Sequence, residues 1–248
     1  MSDPTVAPVA ALYRSYGGTD KFYLAGGYNS TTGLATDTLS IYDVATDSWS
    51  TGASMPTARY GACTSGYMPQ TGTICYMGGR LNFGDQVFSD AVECYAPASN
   101  TWSTYPPLPY RMGGMSCDAW EGIIYVAGGS DWLNDYVNDQ LYWFDMAMPT
   151  GWQTCTQPPF FSNNGYARYN AVWAAGTGWS PYMGLSQGEV GAGLAGYDPM
   201  TGAWTPLATS PVTRGEACSG TYSQQIFQVG GINPATYQIE VPPIFWTV

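Results

Sequence analysis

The sequence predicts an all-β fold in which short antiparallel strands gather into repeated four-stranded sheets. Three observations carry this. Gly-Gly pairs close short apolar runs in FYLAGG, ICYMGG, IIYVAGG and IFQVGG, with first glycines Gly26, Gly78, Gly128 and Gly230. Tryptophans keep the same time, Trp49, Trp102, Trp152 and Trp204 being 53, 50 and 52 residues apart. No long stretch sets apolar residues at the three- and four-residue spacing of a helix face, so helix is expected to be scarce.

Two further markers share the period. An aromatic precedes each tryptophan, at Tyr42, Tyr95, Phe144 and Tyr197. Arginine follows a turn in MPTAR (Arg59), LPYR (Arg111), NGYAR (Arg168) and SPVTR (Arg214). Between successive arginines lie four short β segments, as at 60–65, 73–77, 91–95 and 101–104 in the second repeat. A single such sheet leaves an apolar face in water, so neighbours must stack. Radial stacking leaves only short protected edges, which makes a β-propeller. The glycines that end second strands are expected to take positive φ and to let a neighbouring aromatic approach the backbone.

The period near 50, and the order of arginine, apolar strand with Gly-Gly, strand ending in an aromatic, then Trp, resemble the kelch family over essentially the whole chain. Tyr42-Asp43 and Tyr197-Asp198 keep the Tyr-Asp dipeptide of that pattern, Phe144-Asp145 nearly does, and Tyr95-Ala96 departs from it. The resemblance implies a kelch-type β-propeller of about five four-stranded antiparallel blades. It would form one domain, 1–248, with repeats near 5–56, 57–108, 109–163, 164–211 and 212–248. Repeat four is degenerate, with Met183-Gly184 standing where the glycine pair is expected. Repeat one has no arginine before VAPVAALY. Repeat five ends in PPIFWTV, either its own fourth strand or one that completes another blade.

Only 10% of residues are charged, and seven Lys and Arg against 18 Asp and Glu leave a net charge of −11. A field of that sign repels phosphate backbones, so nucleic acid is not an expected partner. No apolar run reaches the roughly 18 residues of a spanning helix. The opening Met-Ser-Asp-Pro has no basic region of the kind that starts a signal peptide. Scarce lysine among abundant Ser, Thr, Tyr and Gly favours an extracellular surface, but the compartment stays open.

The kelch resemblance implies that the arginines sit before the innermost strands, at the channel mouth on one face. Arg59, Arg111, Arg168 and Arg214 would then form a partial ring, with Tyr60, Tyr110 and Tyr169 beside them as flat contact surface. Such donor forks suit carboxylate, sulfate or phosphate. The competing reading is that each arginine ties its blade to the next through backbone carbonyls or a carboxylate. Cys63, Cys117 and Cys218 fall on inner strands and Cys94 points inward, which favours buried free thiols. A hairpin turning at Pro69 would alternatively set Cys63 against Cys75. No CxxC or metal spacing occurs, and no metal or cofactor is expected. The segment SDWLNDYVNDQ, with Asp131, Asn134, Asp135, Asn138 and Asp139, reads as a solvated loop, with Ca²⁺ binding as the alternative. Asn29-Ser30-Thr31 is a glycosylation acceptor if the chain is secreted.

The chain has no histidine. That removes the histidine-ligated copper chemistry of some kelch relatives, and the Ser-His-Asp and Cys-His arrangements. The expected function is therefore a non-catalytic module holding an anionic peptide, protein or glycan. One alternative is a structural block that self-associates in an extracellular or virion-like layer. The other is a carboxylate-dependent carbohydrate-active enzyme, with Glu216 as the inner-strand carboxylate to test.

Overall fold

The computed structural model describes residues 5–6, 8–13, 20–82, 87–131, 136–138, 140–155, 169–175, 181–187, 194–198, 200–207, 218–222, 225–229 and 244–247. Among them strands run β1 (Thr5–Val6), β2 (Val9–Tyr13), β3 (Lys21–Ala25), β4 (Tyr28–Asn29), β5 (Leu39–Asp43) and β6 (Ser48–Thr51). The second group is β7 (Cys63–Met68), β8 (Thr73–Met77), β9 (Val92–Ala96) and β10 (Thr101–Tyr105). The third is β11 (Gly113–Trp120), β12 (Ile123–Asp131), β13 (Tyr136–Val137), β14 (Leu141–Asp145) and β15 (Gln153–Thr154). The fourth is β16 (Tyr169–Ala175), β17 (Pro181–Gln187), β18 (Leu194–Asp198) and β19 (Ala203–Leu207). The fifth is β20 (Cys218–Tyr222), β21 (Gln225–Val229) and β22 (Ile244–Thr247).

Each group is an antiparallel sheet: β2-β3-β5-β6, β7-β8-β9-β10, β11-β12-β14-β15 with β13 added to β12, β16-β17-β18-β19, and β20-β21-β22. The ribbon β1-β4 lies apart from these ladders. Inner strands follow one another as neighbours in the order β2, β7, β11, β16, β20. Among the described residues the sheets make an all-β, kelch-type propeller of about five blades. The inner strand of blade two begins at Cys63, not at Tyr60, because Tyr60 is drawn into an isolated bridge with Arg80.

Alternation along the strands makes every blade two-faced. On blade two, Cys75, Met77, Val92 and Cys94 face blade three, while Ile74, Tyr76 and Tyr95 face blade one. We call the side that packs on the preceding blade the leading face. It carries the aromatic pair of each repeat, with ring centroids 5.3 Å apart for Tyr95–Trp102, 5.3 Å for Phe144–Trp152 and 4.9 Å for Tyr197–Trp204. Trp102 donates Nε1–H to the Ala53 carbonyl at 2.8 Å, and Trp152 to the Pro106 carbonyl at 3.0 Å. Each acceptor lies in the loop that leaves the preceding blade's last strand.

The glycine pairs serve the same seams. Gly79 N–H donates to the Met112 carbonyl, and Gly27 N–H to the Arg59 carbonyl, both at 2.9 Å. A Cβ on Gly78, at φ 61°, would lie 2.7 Å from the Met112 oxygen. The backbone of the next blade, rather than the expected aromatic, therefore sets the requirement for glycine there. The Tyr-Asp dipeptide acts at the opposite corner. Asp43, Asp145 and Asp198 accept backbone N–H bonds from residues two positions on, closing the turn before the fourth strand.

Two sequence readings are corrected by strand register. Ser186 pairs with Leu194 as Ala127 pairs with Leu141, so the glycine-pair position of repeat four is Gln187-Gly188, not Met183-Gly184. β22 is the third strand of the fifth sheet, and Trp246, opposite Ile226, holds the place that Tyr42 holds opposite Phe22. Gly230 lies outside the described residues.

The cysteines also depart from expectation. Cys63 is bonded to Cys117 across the inner strands of blades two and three, and Cys75 to Cys94 across β8 and β9. Cys63 does not meet Cys75 because the hairpin turns between Met68 and Thr73, which pair, and not at Pro69, leaving Cys63 opposite Met77. The turn closes at Met68–Gly72, with Gly72 N–H on the Met68 carbonyl. Cys155 is a free thiol, and the Cys218 side chain lies outside the described residues. Loop-closure entropy over separations of 54 and 19 residues predicts losses of about 4 kcal/mol for Cys63→Ser/Cys117→Ser and about 3 kcal/mol for Cys75→Ser/Cys94→Ser. Denaturant melts of the oxidised variants measure this, and no loss in either would mean the bonds are absent.

Candidate functional site

Hydrogen bonding aligns the loops that enter successive blades. Met55 N–H donates to the Asp37 carbonyl and Leu108 N–H to the Asp90 carbonyl, so Met55 and Leu108 are equivalent. Counting on, Pro56 matches Pro109 and Arg59 matches Met112. The glycine bonds given above repeat that match. Arg111 is therefore one residue out of step with Arg59, and the two guanidinium groups reach opposite environments.

Arg59 is fully buried. Its Nη1 donates to Glu93 Oε2 at 2.7 Å and its Nη2 to the Tyr76 carbonyl at 2.9 Å. Thr57 completes the carboxylate, donating from Oγ1 at 2.6 Å and from its backbone N–H at 3.3 Å. Burial draws the guanidinium below its usual value, and the Glu93 carboxylate opposes that. Arg59 Nε and Thr36 Oγ1 are, among the described residues, buried polar side-chain atoms without a hydrogen-bond partner. Arg59 thus ties β8 and β9 of its blade together, and the expectation that it contacts a ligand is corrected. The same correction applies to Tyr60, which is buried, packs edge-on against Tyr28 and directs its hydroxyl to the Asn82 carbonyl.

Of the two described members of the set, Arg111 is the exposed one, with 64% of its side chain in solvent and Asp90 3.8 Å away. Tyr110 beside it is also exposed. A cation that sequence reasoning missed stands on the same loops. Arg80 follows the second glycine pair, lies over the Phe88 ring at 5.1 Å and exchanges both backbone bonds with Tyr60. Its signal was the string GGR, which no other repeat carries. Bridges between Leu34 and Asn82 and between Tyr60 and Arg80 join these loops into one surface with Leu34 exposed on it. Arg168 and Arg214 lie outside the described residues, as does the Tyr169 side chain. Pro211 to Arg214 has the spacing of Pro56 to Arg59, which aligns Arg214 with the buried arginine.

Four of the described carboxylates have structural tasks. Glu93 is engaged by Arg59, and Asp43, Asp145 and Asp198 close turns. Glu216 lies outside the described residues. In the acidic loop, Asn138 is buried, donates to the Gly128 and Gln140 carbonyls, and accepts from Gln140 N–H. Asn134, Asp135 and Asp139 are outside the described residues. No group of metal-ligating side chains stands together among the described ones. Cys155 lies between blades three and four, where burial pushes its thiol up to about 11 while a hydrogen bond with Tyr197 pulls the other way.

Residues 19–56 match the family model described as the kelch motif. The chain is similar to Kelch-like protein 36 of Bos taurus, 30% identical over 131 residues, covering 51% of this chain and 20% of that protein. It is similar to Kelch-like protein terF of Aspergillus terreus, 24% identical over 219 residues, covering 85% and 47% respectively. Kelch-like ECH-associated protein 1A of Danio rerio is 32% identical over 116 residues, covering 46% and 18%. The chain thus spans from about a fifth to about half the length of these curated relatives. Among solved structures, that of YjhT superposes with a TM-score of 0.73 at 17% identity, covering 99% of this chain and 83% of that one. Among the described residues, no helix is long and apolar enough to cross a membrane.

Blade three holds Met112 and Tyr142 in the places of Arg59 and Glu93. Glu93→Gln strands a buried guanidinium and is expected to cost about 3–5 kcal/mol, while Arg59→Met/Glu93→Tyr stays within about 2 kcal/mol of wild type. Urea melts of the three proteins measure this, and a double variant as unstable as the single one would refute it. For Cys155, iodoacetamide labelling at pH 8 is expected to run on the order of a hundredfold slower than for a free thiol, accelerating towards pH 11. Mass spectrometry after timed quenching reads the rate.

Proposed function

We propose that this kelch-repeat propeller is a non-catalytic binding module that holds a protein partner through an acidic segment laid across the loop face. The observation that carries the reading is the exposed Arg111 guanidinium, beside Tyr110, on a chain whose net charge is −11. Arg80, Phe88 and Leu34 extend that surface towards blade one. A planar donor fork next to flat aromatic area suits carboxylates. Arg168 and Tyr169 precede and open the inner strand of blade four, and we assign them to the same rim. Asp90, 3.8 Å from Arg111 and also open to water, is too weakly held to compete with a multivalent anion. The name of one relative, an ECH-associated protein, records association with another molecule and supports a binding role. The two disulfides fit an oxidising compartment.

Binding of labelled polyglutamate and of a heparin fragment, followed by anisotropy, separates a carboxylate-bearing partner from a sulfated glycan. Polyglutamate is expected to bind more weakly by about 1.5–3 kcal/mol in Arg111→Ala, the range for a charged hydrogen bond, and less tightly as salt rises. Unchanged affinity in both Arg111→Ala and Arg80→Ala would remove the site.

A further inference from the structure

Asn29-Ser30-Thr31 has the acceptor pattern for an N-linked glycan, with no proline in the middle position or directly after it. None of the chain's other asparagines is followed two residues on by Ser or Thr. An acceptor must also lie open to a transferase and keep its amide nitrogen disengaged. Those two conditions are settled by folding.

Asn100 and Asn138 show the ordinary use of asparagine in this molecule. Asn138 is buried and donates its amide N–H groups to the Gly128 and Gln140 carbonyls. Asn100 reaches the preceding blade, its Oδ1 accepting from Ala53 N–H at 2.7 Å and from the Tyr95 hydroxyl at 2.8 Å. Asn29 differs from both. It ends β4 at a hairpin turn of the loop face, where Ser30, Thr31 and Thr32 are all exposed. Its backbone N–H donates to the Leu34 carbonyl at 2.9 Å and its carbonyl accepts from Gly33 N–H at 2.8 Å. Its Oδ1 accepts from Thr31 N–H at 2.9 Å and from Thr32 N–H at 3.1 Å. These bonds engage the oxygen and hold the side chain in place. The amide nitrogen, Nδ2, makes no hydrogen bond among the described residues.

A separate observation concerns the compartment. Cys63–Cys117 and Cys75–Cys94 are bonds that persist where thiols are oxidised, and the lumen of a secretory pathway is such a place. N-linked transfer to a translocated chain takes place in that same lumen.

We propose that Asn29 carries an N-linked glycan. In the transfer, Nδ2 attacks the anomeric carbon of a lipid-linked oligosaccharide diphosphate. A C–N bond forms, the C–O bond to the diphosphate breaks, and the diphosphate leaves with that electron pair. The amide gives one proton to a base of the transferase, and nothing is oxidised or reduced. The bridge between Leu34 and Asn82 sets the Asn29 hairpin beside the loop that carries Arg80. The glycan therefore borders the loop face on its blade-one side. This site stands whether or not the arginine face holds a carboxylate-bearing partner, and the two fail separately.

Expression of the full chain behind a secretion signal in cultured mammalian cells tests it, with lysate and medium both probed. Wild type is expected as a heavier species that peptide N-glycosidase returns to the polypeptide mass. Mass spectrometry is expected to find a gain of about 1 Da at Asn29, whose amide that enzyme turns into a carboxylate. Thr31→Ala removes an exposed hydroxyl and keeps both N–H donors of the turn. It is expected to abolish the shift with the urea midpoint unchanged, and Thr31→Ser to retain it. A wild-type chain without glycan in both fractions overturns the proposal, as does a shift that survives Thr31→Ala.

Discussion

A sheet of this repeat has two apolar faces, and neither can remain in water on its own. Aromatic and aliphatic side chains alternate along the middle strands, so Tyr76 and Tyr95 leave on one side while Met77 and Val92 leave on the other. Everything else in the molecule follows from matching one blade's leading face to its predecessor's trailing face. The glycine pair admits the next blade's carbonyl, and the tryptophan reaches back for a carbonyl of the blade before. These polar contacts fix the angle of the seam while burial supplies its driving force.

Within that frame, the same slot is filled in two chemically different ways. Blade two places a buried Arg59 against Glu93, and blade three places Met112 near Tyr142. An ion pair out of water is sustained only where every oxygen finds a donor, which is why Thr57 attends the carboxylate twice. The arginine that looked most like a ligand contact is thus spent on architecture. Of the other described arginines, Arg111 stands in water 3.8 Å from Asp90 and Arg80 lies over the Phe88 ring.

The inner strands carry a second, covalent constraint. Cys63–Cys117 links blades two and three, and Cys75–Cys94 links two strands within blade two. Both involve blade two, which also carries the buried ion pair and the interlocked loops of the proposed binding face. The most heavily fastened blade is the one that presents Arg80 and stands next to Arg111. Rigid support behind exposed donors lowers the ordering cost of binding.

Period and alternation were legible from residues alone, because each repeat must satisfy the same two seams and so reuses Gly-Gly, Tyr and Trp. The sequence by itself determined the all-β propeller, the strand order within a blade, and the aromatic pairs that line the seams. It misplaced whatever depends on a shift of one or two residues. Arg59 and Arg111 look equivalent in the strings MPTAR and LPYR, yet counting from Pro56 and Pro109 separates a buried residue from an exposed one. The position of the turn after β7 likewise set Cys63 opposite Met77 instead of Cys75, and Cys63 bonds to Cys117. Only the tertiary structure decided these. Whether a side chain is buried or open depends on what the ring brings beside it, and that neighbour lies some fifty residues away in the chain.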